Sequence, residues 1–200
     1  MVRQTRRLVE LRKEKTPFTS QETEAIVGRL KCRTADEQLA SSVEFSPTAV
    51  SMIRRVFIGE GLIVTDTETL AASVRAMLPT GCRANVCCYL EDSSVGRMAE
   101  MRRVTRAEVA TDLALSQTGP KVMIIGTAPA ALSRVLYHRQ KLPMTDVIVV
   151  TTVSGFAQAV ELKERLRDSG LSYVVTRGRC GGPVAAEALI NSILEIITKK

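Results

Sequence analysis

The chain contains no tryptophan, and only three tyrosines and four phenylalanines among its 200 residues. Single-stranded nucleic acid is commonly gripped by stacking bases on aromatic rings, so this scarcity argues against that partner. Histidine is scarcer still, with His138 the sole example. This weakens any scheme built on a set of imidazole ligands or on a Ser–His dyad. The five cysteines are Cys32, Cys82, Cys87, Cys88 and Cys180; their number is odd, two are adjacent, and none has CxxC spacing. A disulfide framework and a structural metal site are therefore not expected. No apolar run approaches the ~20 residues that a membrane helix needs. The N-terminal stretch MVRQTRRLVELRKEK is basic and has no apolar centre, so it does not read as a secretory signal, and a cytoplasmic location is the expectation. GxxxxGK[ST] and HExxH are also missing, and the stretch GTAPAA is not GxGxxG. Walker-type nucleotide binding and zincin chemistry are disfavoured, and dinucleotide binding has weak support.

What is present is an ordinary globular composition, 45% hydrophobic and 24% charged. The length suits one domain with a substantial core, and residues 1–200 are read as a single unit. The formal net charge of +7 favours anionic partners. The basic residues are dispersed rather than striped, so a small polycarboxylate or phosphate fits better than nucleic acid.

Short β-type runs alternate with helical patterns. The runs are LIVT (62–65), NVCCYL (85–90), VMIIG (122–126), VIVVT (147–151) and YVVT (173–176). They are almost continuously apolar, as in parallel strands covered on both faces. Thr67 is placed to cap a helix with Leu70, Val74 and Met77 on its apolar side. Thr105 and Glu108, and likewise Thr19 and Glu22, have capping-box spacing. Ser46-Pro47 reads as a cap and first helical residue, and Pro183 opens a last helix through Leu189, Ile193 and Ile197. The alternation predicts an α/β fold: a doubly wound, mostly parallel sheet of about five strands, with helices on both faces. Residues 1–45 show no strong strand and are read as helices packed on the sheet.

In such sheets ligands bind beyond the carboxyl ends of the strands. The turns there are Thr65-Asp66-Thr67, Glu91-Asp92, Gly126-Thr127-Ala128-Pro129, Thr152 to Phe156, and Arg177 to Gly182. Hydroxyls, glycines and basic groups at helix starts suit a carboxylate-rich ligand. Each feature also has a plain structural reading. The glycines permit a tight turn, Asp66 caps a helix, Arg177 and Arg179 are solvated surface, and Cys82, Cys87, Cys88 and Cys180 pack. His138 reads as a surface residue near a helix end.

FTSQETEAIVGRLKCRTAD, VEFSPTAV, EGLIVTDTETL, VTRAEVA, IIGTAPAAL, VSGFAQAVELKE and YVVTRGRCGGPVAAEALIN, in that order from about Phe18 to the end, resemble the precorrin-8X methylmutases. The resemblance implies an isomerase that moves a methyl group between adjacent carbons of ring C of a late corrinoid precursor. The product would be hydrogenobyrinic acid or its cobalt counterpart. It implies no separate cofactor, no metal centre of the protein's own, and a homodimer with the site near the subunit interface. The ligand would be a tetrapyrrole polycarboxylate, held by Thr65, Asp66, Thr67, Arg106, Gly126, Thr127, Ala128, Gly155, Arg177, Gly178 and Arg179. The family's histidine, its expected proton donor, falls at Cys32, ahead of Thr34-Ala35-Asp36. A thiol with an ordinary pKa near ~8.5 is a poorer acid at pH 7 than imidazolium, although Lys31 and Arg33 flank it and such neighbours lower a thiol pKa. Cys180 stands where a basic residue is common, the serine usual before Pro183 is missing, and an N-terminal Arg-Ser pair appears as Arg6-Arg7. A relative that binds a tetrapyrrole or another polyanion without chemistry is the alternative.

Overall fold

A computed structural model describes residues 20–80, 82–155 and 157–198. Thr19, the Arg6-Arg7 pair and Phe156, which figured in the sequence reading, lie outside the described residues. In chain order the elements are α1 (Gln21–Thr34), α2 (Glu37–Ser42), β1 (Val43–Phe45), α3 (Ala49–Ile58), β2 (Leu62–Thr65), α4 (Glu68–Met77), β3 (Asn85–Cys87), α5 (Ser93–Arg102), α6 (Arg106–Ser116), β4 (Lys121–Ile125), α7 (Pro129–Lys141), β5 (Val147–Thr151), α8 (Ala157–Asp168), β6 (Ser172–Thr176) and α9 (Pro183–Thr198).

The strands form one six-stranded sheet in the order β1-β6-β5-β4-β2-β3. Five are mutually parallel. The sixth, β1, runs antiparallel along β6 with Val43 opposite Thr176. This edge strand lies within the stretch read as wholly helical, which is corrected here. Three residues with Glu44 at the centre carry no strand signal; pairing with β6 makes the strand. β3 is shorter than expected, because the chain leaves the sheet after Cys87.

The apolar runs divide by alternation, since successive strand residues face opposite sides. Ile63, Val122, Ile124, Ile148, Val150 and Val174 join α1, α3, α4 and α9 in one core. Val64, Met123, Ile125, Val147, Val149 and Val175 join α7 and α8 in the other. β4 and β5 are buried throughout.

Capping follows local chemistry, with two corrections. Thr67 caps α4 through Leu70 N at 3.3 Å, and Thr105 with Glu108 forms the expected box on α6. The box on α1 is built by Ser20 and Thr23. At α3, Ser46 is no cap: its hydroxyl accepts Tyr173 N at 2.9 Å, and the helix begins later, at Ala49. Met77, counted with the apolar side of α4, is 40% exposed.

Candidate functional site

Parallel pairing carries the ends of β2 to β6 to one rim. From β2 the chain goes outward to β3 and then returns to β4 on the other side. The gap between the ends of β2 and β4 is thus a topological switch point, where open α/β sheets receive ligands.

Asp66 spans that gap. Its Oδ2 accepts the backbone N–H of Thr127 at 2.6 Å and of Ala128 at 2.9 Å. Ala128, the N-cap of α7, has no capping side chain, and Pro129 follows it. Asp66 therefore caps the helix after the neighbouring strand, while its own helix is capped by Thr67. Its other oxygen, Oδ1, is buried with no hydrogen-bond partner among the described residues. Thr65 donates its hydroxyl to Thr67 O at 2.9 Å, stiffening the first turn.

A small cavity of about 20 Å³ opens here, lined by Thr65, Asp66, Tyr89, Leu90, Ala107 and Thr111, with apolar residues of β4 as its floor. That is room for about one water molecule, far below the roughly 300–1,000 Å³ of a ligand pocket. The lining is mainly apolar, so the cationic groups expected around the site stand at its margins. Arg106, first residue of α6, donates to Leu90 O at 2.6 Å and lies 3.4 Å from Glu91. It thereby holds the turn after β3 against the cavity. Cys88 is half-buried beside Thr65, and burial pushes its thiol up.

The second half of the rim is the glycine turn. Thr152 and Gly182 exchange hydrogen bonds: Gly182 N donates to Thr152 O at 2.6 Å, and Thr152 Oγ1 donates to Gly182 O at 2.9 Å. Gly181 has φ +141°, and a Cβ there would lie 1.9 Å from Thr152 O, so only glycine fits. Gly126 joins the two halves: a Cβ on it would meet Ala186 of α9 at 2.8 Å. Gly155 and Gly178 have positive φ and open surroundings.

The arginines of the turn are exposed, but they are not alike. Arg177 Nε is 3.8 Å from Glu44 Oε2. Glu44, on β1, is 2% exposed and accepts hydrogen bonds from Arg167 at 2.9 Å and Tyr173 at 2.7 Å. Burial first, and then the Glu44 hydrogen bond, push Tyr173 up to about 12. Arg177 is thus tethered toward a buried acid. Sequence reasoning missed Glu44 because it missed β1. It also missed Lys163, a lysine on α8 only 1% exposed, whose Nζ donates to Cys180 O at 3.1 Å.

Cys32 is exposed on the last turn of α1. Its neighbour Arg33 reaches Glu195, near the end of α9 remote from the glycine turn. Among the described residues no hydrogen bond ties Cys32 to the rim. His138 is not a simple surface residue: Nε2 is 2.7 Å from Asp112 Oδ1, which Arg134 also binds. This cluster lies outside the rim. Among the described residues, no His, Cys, Asp and Glu groups cluster to hold a metal ion, and no helix is long and apolar enough to cross a membrane.

The CbiC (precorrin-8X methylmutase) family model matches residues 2–196. The cobalt-precorrin-8 methylmutase of Methanothermobacter thermautotrophicus is 34% identical over 88% of this chain and 82% of its own. That of Salmonella typhimurium is 32% identical over 88% and 83%. A solved structure described as a precorrin-8X methylmutase related protein superposes with a TM-score of 0.76 at 26% identity, covering 90% of this chain and 94% of the other. With its switch-point site and matches along nearly its whole length, the chain belongs to the precorrin-8X methylmutase family.

Proposed function

We propose that the protein is an isomerase of cobalamin biosynthesis, shifting a methyl group within ring C of a precorrin-8 type tetrapyrrole, with or without cobalt. The observation that carries this reading is the paired turn at the β2/β4 switch point in a chain of this family. The apolar patch beside Asp66 packs against one face of the macrocycle. Arg106 on one side, and Arg177 and Arg179 on the other, meet its carboxylates. Thr65, Asp66, Thr67, Gly126, Thr127, Ala128, Gly155 and Gly178 shape the rim between them. A cavity of water size cannot enclose a tetrapyrrole, which favours a macrocycle lying across the rim. We read residues 1–200 as one catalytic unit acting in the cytoplasm.

The migration needs no external nucleophile. Holding the ring in its reactive shape supplies much of the barrier lowering, as orientation does in intramolecular reactions. Cys32 is the weak acid of this scheme. A homodimer with the site near its interface is part of the reading, because it allows the α1 thiol of one chain to meet the rim of another. The test is turnover of purified protein on the precorrin-8 substrate, followed by its absorbance. Tight binding without product rejects the isomerase and leaves the alternative, a tetrapyrrole-binding relative. A gain of activity in Cys32→His marks a scaffold lacking its strong acid.

A further inference from the structure

Among the described residues Lys163 is the most deeply buried lysine, 1% exposed. Its hydrogen bond is to a neutral carbonyl, Cys180 O, and among the described residues it forms no ion pair. Burying an ammonium without a carboxylate is costly, and burial pushes Lys163 down to about 8. A methionine would fill the same space without that cost.

Its location suggests the gain. Cys180 O also accepts from Thr176 Oγ1 at 2.9 Å, so the carbonyl is drawn inward by two donors. In a planar trans peptide the N–H points opposite to the C=O. The Gly181 N–H therefore points away from α8, and no described group accepts from it. It sits on the turn that carries Arg177 and Arg179. A cation on the carbonyl oxygen polarises the peptide and strengthens its N–H as a donor.

We propose that Lys163 is a positioning residue for anion recognition: by holding the Cys180 carbonyl inward it aims the Gly181 N–H at a carboxylate of the bound macrocycle. The inference rests on the reading of this rim as the substrate site. The titratable groups acting on Lys163 are Cys180 from the turn and Glu164 from its own helix.

The test uses hydrogenobyrinic acid as the probe, with affinity measured by absorbance titration. Native protein should lose about fivefold in affinity between about pH 7 and pH 9, on the way to the roughly tenfold that one charge-assisted hydrogen bond is worth. The sign follows from preferential binding to the protonated lysine, so affinity is full below the lysine pKa and lost above it. Lys163→Met should bind about tenfold more weakly at pH 7 and show no such limb, while Cys180→Ser should keep the native profile. A Lys163→Met protein with native affinity and pH profile overturns the proposal, as does a limb that vanishes in Cys180→Ser. Should Lys163→Met not fold, the native and Cys180→Ser profiles decide, together with the Gly181 amide signal in 15N-labelled protein. That signal must move on adding the probe. Loss of affinity in an Arg177→Ala/Arg179→Ala variant but not in Lys163→Met removes the role of Lys163 alone. No loss in either removes the rim as the substrate site.

Discussion

Replacing Asp66 by alanine tests the joint at the centre of the rim. In the native chain one carboxylate oxygen holds two N–H groups, Thr127 at 2.6 Å and Ala128 at 2.9 Å. α7 has no capping side chain of its own at Ala128. Loss of a helix cap costs about 0.5–2 kcal/mol, and a hydrogen bond to a charged group about 1.5–3 kcal/mol. Thr127 is exposed, so water takes over part of its demand, whereas Ala128 is half-buried. The expected loss is about 2–3 kcal/mol. For a chain of this size that lowers Tm by about 5–10 °C. Asp66→Asn keeps an accepting oxygen and loses only the charge at the helix start, about 0.3–1 kcal/mol. Both are read by urea unfolding followed by circular dichroism, with the denaturant slope unchanged. An alanine variant within about 0.5 kcal/mol of native would refute the reasoning, since that is the range of surface substitutions without such a role. So would an asparagine variant as damaged as the alanine one.

Gly181→Ala places a Cβ 1.9 Å from Thr152 O at φ +141°, so a loss of about 3 kcal/mol or more is expected in thermal unfolding. Gly155→Ala meets nothing within 4 Å at φ +131° and should cost only the conformational strain, about 1–2 kcal/mol. Burial alone would raise the Asp112 carboxyl, but hydrogen bonds from Arg134 and His138 outweigh it and hold the group below its ordinary value. Its folded pKa is depressed, so its stabilisation is present above the unfolded value near ~3.9 and is lost as pH falls through the lower folded value. The stability gap between native protein and Asp112→Asn should therefore be full at neutral pH and close in strong acid, as measured by urea midpoints across pH. Cys32→His should raise turnover on the precorrin-8 substrate, because imidazolium is the better proton donor near neutrality; an unchanged rate removes the acid role from this position.

Much of the architecture was legible because it depends on periods shared by all chains. Continuous apolar runs such as VIVVT and VMIIG require cover on both faces, and β4 and β5 receive it. Thr67 and Thr105 cap locally, through partners three residues on. Ser46 failed as a cap because Tyr173, 127 residues away, engages its hydroxyl. β1 was invisible because its pairing partner is distant in sequence.

For the rim, the residue types and their places after strands could be read directly, since ligand-facing turns in parallel sheets follow strand ends. Which turns would touch could not. That depended on strand order, which sets β2 beside β4 and so delivers Asp66 to the start of α7. The tethering of Arg177 by Glu44 and the burial of Lys163 under Cys180 likewise came from the tertiary structure. Hydrophobic alternation and caps act within a few residues and are written in the local sequence. Carboxylates, ammonium groups and backbone N–H groups find their partners across the sheet, and only the folded chain brings those partners within hydrogen-bonding reach.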